Sequence, residues 1–257
     1  MKIFKLLLLI SLIYILSFNI IPIKAEAPIQ LSTETEDISL TDDLNIAKAQ
    51  VEKYPDNPEA HFNLAIALSH TSLVEEAVKE LRKTKLLIRK TGSTEIIDKK
   101  IIEYTEILKN NPEDIRINNI RYRLAFSHYL KAYLIHKELK KAKEKSSKDS
   151  FFAPSSLLLN NNNPLIKENL DFCIQNFEEL LKINPHDNWA KIYYAFIVAE
   201  QMGKVNKAQK LWSEVMKEEP NNPAPHFFLG ELKIKEGNLK EGILEISQAI
   251  LLRSQGH

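Results

Sequence analysis

The chain has 257 residues with 35 basic and 34 acidic side chains, enough for one sizeable domain or two small ones. Because these charges nearly cancel, the chain lacks the electrostatic field that recruits nucleic acid, and we expect no nucleic-acid partner. Six glycines are few for a sheet-rich protein of this size, and the many Leu, Ile, Lys, Glu and Asn residues favour an all-α fold.

The first 25 residues have the layout of a secretory signal. Two lysines precede an apolar stretch from Leu6 to Ile23, and Ala25 is followed by an acidic region. We therefore expect export to the periplasm or the extracellular space, with cleavage after Ala25. The apolar stretch is long for a signal peptide and short for a spanning helix, which needs about 20 residues. An uncleaved N-terminal segment that attaches the protein to a membrane is the alternative.

Helical periodicity begins after an acidic, Ser/Thr-rich segment at 26–41, which is typical of a flexible tether. Residues 42–145 predict helices at 42–54, 58–70, 72–90 and 93–110 and a long one at 114–145. Residues 146–163 break the pattern and predict a loop. From Pro164 the pattern continues in pairs through 164–257, with helices at 164–183, 188–202, 204–218, 223–236 and 238–252.

Two segments that lie 165 residues apart share much of their sequence. Residues 55–64 and 220–229 both contain a proline, then Asn-Pro, then His-Phe and a leucine at the same positions. In each segment the first proline ends one helix, and Asn-Pro begins the next. Such a duplication indicates an array of repeated helical units.

Small and large apolar residues recur within this array at a fixed spacing. They are Leu64, Ala65, Ala77 and Leu81, then Ala195, Gly203, Ala208, Trp212 and Pro220, and then Leu229, Gly230, Gly237, Ile246 and Ala249. This pattern resembles the tetratricopeptide repeat, with units at 58–91, 189–222 and 223–256. The resemblance implies a right-handed α-solenoid of antiparallel helix hairpins. Residues 93–163 also predict helix hairpins, but they lack the residue pattern of the repeat.

The resemblance also implies a binding site, because in this family the first helix of each pair lines a concave groove for a peptide or a partner helix. The matching positions are Phe62, Asn63, Ile66, Tyr193, Tyr194, Ile197, Phe227, Phe228 and Glu231. A groove of this composition is aromatic and nearly uncharged, which suits an apolar or extended segment of a protein partner.

No pattern of catalytic residues or metal ligands occurs in the sequence. His61 and His226 occupy equivalent repeat positions, so a shared structural role explains both. His128 and His136 are eight residues apart on one helix, too far to chelate one ion. Cys173 is the only cysteine and is expected to be buried. We therefore expect a protein that is not an enzyme, with no catalytic residue, cofactor or metal.

The sequence thus predicts an exported protein–protein interaction scaffold. The alternative is a membrane-anchored or self-associating structural component of an envelope complex. No polar helix follows the last predicted pair, so we expect Leu244, Ile250, Leu251 and Leu252 to be partly open. A homo-oligomer would form through them.

Overall fold

The computed structural model describes residues 40–112, 116–148 and 163–255, which lie in one compact unit spanning Ile38–His257. The predicted signal at 1–25 lies outside the described residues, as do most of the tether at 26–41 and most of the loop at 146–163. Among the described helices, none has the length and apolar character needed to cross a membrane.

Ten α-helices and no strand occur in the part of the chain that the structure describes. The all-α prediction is confirmed there, and each predicted helix has a counterpart whose ends agree within three residues. The helices are α1 Leu40–Lys53, α2 Pro58–Leu68, α3 Val74–Thr91, α4 Glu95–Asn110, α5 Ile117–Lys148, α6 Pro164–Ile183, α7 Asn188–Met202, α8 Val205–Glu218, α9 Pro223–Lys235 and α10 Leu239–Ser254.

The two copies of the Asn-Pro sequence begin α2 and α9 in the same way. The side-chain oxygen of Asn57 accepts a hydrogen bond from the backbone N–H of Glu59 at 2.8 Å, and that of Asn222 accepts one from Ala224 at 3.0 Å. A proline follows at the first helical position, where no N–H is needed. Local chemistry alone therefore determines where these two helices start.

Helices adjacent in the chain form the principal packed pairs, among them α2 with α3, α5 with α6, α7 with α8 and α9 with α10. In the last pair, Gly230 lies against Ile246 while Gly242 lies against Ile234, so α9 and α10 run antiparallel. A side chain at Gly242 would place its Cβ 2.5 Å from Cγ1 of Ile234 and 2.9 Å from the carbonyl oxygen of Gly230. Glycine is therefore required for the close approach of these helices.

A histidine–glutamate bridge joins the two helices in both copies of the repeat. Nδ1 of His61 lies 2.5 Å from Oε2 of Glu80, and Nδ1 of His226 lies 2.7 Å from Oε2 of Glu245. The second bridge repeats the first at an interval of 165 residues. The predicted structural role of these histidines is confirmed, since each ties the first helix of its pair to the second.

The α2/α3 hairpin also contacts the far end of the chain. Helix α3 packs against α5 and α9, Arg82 on α3 bonds Glu231 on α9 at 2.6 Å, and Arg253 on α10 bonds Glu76 on α3. In a simple solenoid each unit touches only its neighbours. This chain differs, because its first and last complete hairpins meet.

Gly242→Ala is expected to lower the free energy of unfolding by about 1–3 kcal/mol, since the added methyl group meets backbone atoms as well as Ile234. Chemical denaturation followed by circular dichroism measures the change. Lys210→Ala, an exposed change on α8, is the control and should leave the midpoint unaltered. An unchanged midpoint for Gly242→Ala would show that α9 and α10 are not so closely packed.

Candidate binding surface

Helices α5, α7 and α9 contribute aromatic rings to one continuous row. Phe126 lies 5.3 Å from Tyr193 between ring centres, Tyr129 lies 6.0 Å from Phe196, and Phe228 lies 5.8 Å from Tyr193 and 4.9 Å from Phe196. We call these five residues the inner face. Edge-on and tilted contacts of this kind stabilise aromatic clusters beyond the area they bury.

The α2/α3 hairpin covers the inner face. Ile66 on α2 and Val78 and Leu81 on α3 meet Phe126, Tyr193, Phe196 and Phe228 around a cavity of about 20 Å³. A space of this size holds about one water molecule, so it cannot admit a ligand. In this structure the hairpin takes the place that the family resemblance assigns to a bound partner.

The nine predicted groove residues are brought together only in part, and they do not line an open groove. Asn63 and Glu231 are partly exposed, whereas the other seven are at most 8% exposed; these are Phe62, Ile66, Tyr193, Tyr194, Ile197, Phe227 and Phe228. The expectation of an accessible aromatic groove is corrected here, because the chain's own hairpin covers that surface. The expectation that these residues bind a partner stays a prediction.

Tyr194 lies apart from the inner face. Its hydroxyl donates to Oε1 of Glu178 on α6 at 2.8 Å, its ring stacks on Phe177, and the ammonium of Lys207 on α8 lies 4.5 Å from its ring centre. Phe196, two residues further on, occupies the inner face instead. A step of two residues rotates a side chain by about 200° around a helix, so Tyr194 and Phe196 lie on different sides of α7.

Two other residues of the inner face, Phe126 and Tyr129, and the neighbouring Lys85 were not predicted as site residues. The first two lie on α5, where the repeat pattern is absent and the register was unassigned. An apolar face on a long helix was the only available signal for them. Lys85 gave no signal, because lysines on helices are usually solvated.

Lys85 and Tyr129 belong to a buried polar network at the edge of the inner face. Nζ of Lys85 donates to the hydroxyl of Tyr129 at 2.6 Å, and that hydroxyl donates to Oε2 of Glu200 on α7. The ammonium also lies 4.5 Å from the ring centre of Tyr129 and 4.2 Å from that of Tyr133. This arrangement links α3, α5 and α7 through hydrogen bonds and cation–π contacts.

Burial shifts the pKa values of Lys85 and Tyr129 in this network. Loss of hydration lowers the pKa of Lys85 to about 8, opposed by the negative charge of Glu200 and assisted by the positive charges of Arg82 and Lys137. Burial raises the pKa of Tyr129 well above its usual value, and Glu200 raises it further. Tyr129 therefore keeps its proton over the whole range in which Lys85 titrates.

Asn63 and Glu231 each connect the hairpin to the rest of the protein. Nη1 of Arg123 on α5 donates to Oδ1 of Asn63 at 3.0 Å, and Nη2 of Arg82 donates to Oε1 of Glu231 at 2.6 Å. These two predicted residues thus lie at the edge of the covered surface, where they remain accessible to a partner.

The chemistry that this region offers is packing and hydrogen bonding. Cys173 is wholly buried, and burial raises the pKa of its thiol, so it remains protonated and inaccessible. Within residues 40–112, 116–148 and 163–255, no group of three or more His, Cys, Asp or Glu side chains is placed to hold a metal ion.

The free energy of unfolding is expected to rise by about 1 kcal/mol between pH 7.5 and pH 9 because of Lys85. Its pKa is about 8 in the folded protein and 10.5 ordinarily, so the unfolded state binds more protons over this interval and stability increases with pH. Above about pH 10 the tyrosines act in the opposite sense, since the folded state holds their protons.

Chemical denaturation at several pH values tests this expectation. Lys85→Met should remove the rise, whereas Lys79→Met, an exposed change on the same helix, should retain it. A rise of equal size in Lys85→Met would show that another group is responsible.

The sequence matches no family model and no curated protein. Among solved structures, MamA is 12% identical, with 84% of this chain and 90% of that chain covered and a TM-score of 0.34. Yeast Tom70 is 15% identical, with 85% of this chain and 40% of that chain covered and a TM-score of 0.35. At TM-scores below 0.5, neither similarity carries an argument about this chain.

Proposed function

We propose that this chain is a non-enzymatic protein–protein interaction scaffold of the tetratricopeptide type. The observation that carries the proposal is the repetition of one helix hairpin at 58–91 and 223–256 with the same Asn-Pro start and the same His–Glu bridge. Arrays of such hairpins generate extended surfaces that bind other proteins, and they rarely form a catalytic cleft.

The partner is a protein or peptide that engages the edge of the covered surface, at Asn63 and Glu231. These residues are the accessible part of the nine-residue set, and each takes part in a hydrogen bond that joins the α2/α3 hairpin to another helix. A partner that contacts the buried rings of Tyr193 and Phe228 would have to displace the α2/α3 hairpin, which covers them.

Replacing Asn63 and Glu231 together by alanine is expected to reduce capture of the main co-purifying partner at least about tenfold, which corresponds to a loss of about 1.4 kcal/mol. Pull-down from an envelope extract with quantitative mass spectrometry measures capture. Asn110→Ala with Glu106→Ala, the same residue types exposed on α4, is the matched control. Undiminished capture by the Asn63/Glu231 variant, with an unchanged helical spectrum, would refute the assignment.

We also propose that the protein is exported, on the strength of residues 1–25. N-terminal sequencing of the protein from its own cells should give Glu26 as the first residue. Ala25→Arg should leave residues 1–25 attached, because a signal peptidase requires a small residue at the cleavage point. An intact N-terminus in the unaltered protein would instead support a membrane-anchored form.

The second candidate function is that of a self-associating structural component, and one observation favours it. Leu244, Ile250 and Leu251 on α10 are 61%, 58% and 50% exposed, as expected for open positions on the last hairpin. Leu252 was also expected to be open, but it is 5% exposed and buried. It lies on the same side of α10 as Gly242 and Ala249, which are also buried.

A further inference from the structure

Helix α10 exposes an unusually apolar surface. Five of its aliphatic side chains are between 50% and 61% exposed: Leu239, Ile243, Leu244, Ile250 and Leu251. We call these five residues, with Ser247, the C-terminal face. Scattered apolar residues are ordinary on a protein surface, but a cluster on one helix marks a site of association.

Helical spacing makes the C-terminal face continuous. Residues 239, 243 and 250 follow one line along the helix, residues 244 and 251 follow a second, and Ser247 lies between them. The buried residues of α10, which are Gly242, Ala249 and Leu252, lie on the other side. The exposed aliphatics therefore form one stripe rather than isolated points.

The internal duplication shows what happens to the same positions in the first copy. Val74, Val78 and Lys85 on α3 correspond to Leu239, Ile243 and Ile250, and they are 3%, 8% and 8% exposed. Helix α3 buries these three positions where its hairpin meets α5 and α9. The counterparts of Leu244, Ser247 and Leu251 are exposed in both copies; in α3 they are Lys79, Arg82 and Leu86. The α10 stripe is more apolar than its α3 counterpart, yet no described part of the chain covers it.

We propose that the C-terminal face is a homodimer interface, in which α10 packs against α10 of a second copy about a two-fold axis. Such an axis joins the same patch of the two copies, so a face covered with charges of one sign would repel its equivalent on the second copy. Its six residues are uncharged, but the exposed Lys240 lies on the same side of α10, one turn before Leu244 and two turns before Ser247. The nearby acids are engaged within the chain, since Glu241 pairs with Lys233 at 3.0 Å and Glu245 with His226 at 2.7 Å.

Two features of α10 favour an antiparallel pairing of the two helices with Ser247 at the crossing point. A small residue at the crossing point lets two helices approach closely. The pairing also places Lys240 of each copy near the last turn of the partner's α10, where unpaired carbonyl groups carry partial negative charge. A largely apolar stripe, a small central residue and a lysine that faces the partner's last turn all agree with a second copy as the occupant.

The area that the C-terminal face can bury is small for a stable interface, so we expect the dimer to be reversible. Five aliphatic side chains that are about half exposed bury on the order of 500 Å² per copy, against about 800 Å² per partner in a standard interface. We therefore expect a dissociation constant in the micromolar range. The interface deepens the self-associating alternative given above, and it leaves out Asn63 and Glu231, so its failure would not alter the outcome of the partner-capture experiment.

Cysteine crosslinking tests the two-fold arrangement in the protein from residue 26 onward, which retains the compact unit Ile38–His257. Cys173 is the only native cysteine and is 0% exposed, so an added surface cysteine is the one accessible thiol. Ser247→Cys should form a disulfide-linked dimer under mild oxidation. Ser213→Cys on α8, an exposed serine with the same bond to a carbonyl four residues earlier, is the control and should stay monomeric.

Sedimentation velocity over a range of concentrations measures the association itself. The unaltered chain should show a reversible monomer–dimer equilibrium, and Ile250→Glu should raise its dissociation constant at least about tenfold, because a charge would be buried in the interface. Ile102→Glu on α4, where the isoleucine is 59% exposed, should leave the equilibrium unchanged.

Three results would overturn the proposal. The first is a strict monomer at several hundred micromolar, and the second is a dimer that persists in Ile250→Glu. The third is a dimer that Ile250→Glu abolishes but Ser247→Cys does not crosslink, since the contact would then join α10 to a different surface of the second copy.

Discussion

The packing of the α2/α3 hairpin against α5, α7 and α9 is the contact on which the rest of the structure depends. It covers a row of aromatic rings that a simple helical array would leave open to water, and burying each ring contributes about 1.5–3 kcal/mol. It also brings the first copy of the duplicated hairpin to the last, where Arg82 meets Glu231 and Arg253 meets Glu76. The arrangement of the helices within the unit Ile38–His257 follows from this burial.

The polar groups at the edge of that contact add little to stability and instead help to fix the position of α3. The Arg82–Glu231 pair is partly exposed, and such pairs contribute about 0–1 kcal/mol. The buried ammonium of Lys85 opposes folding at neutral pH through lost hydration, which the Tyr129 hydroxyl, two aromatic rings and Glu200 offset in part. Since these partners lie on two other helices, the network favours one position of α3 over its neighbours.

The second helix of the duplicated hairpin is therefore packed differently in its two copies, α3 and α10. In α3 the line of residues at Val74, Val78 and Lys85 faces inward and completes the core, so the surface that the repeat pattern associates with partners is filled from within. In α10 the corresponding stripe stays exposed and is available for association. The proposed partner site near Asn63 and Glu231 and the proposed dimer interface on α10 are separate surfaces, so each can be altered without the other.

Local chemistry was sufficient to predict the helices, because caps such as Asn57-Pro58 and the 3.6-residue period act within a few residues. The shared structural role of His61 and His226 also followed from the duplication alone. The repeat pattern did not resolve which side of α7 points inward. Phe196 rather than Tyr194 joins the inner face, because their side chains point about 200° apart around the helix. The position of α3 over α5 and α9 was decided only by tertiary packing, since it depends on aromatic surfaces from distant parts of the chain that have no local signature.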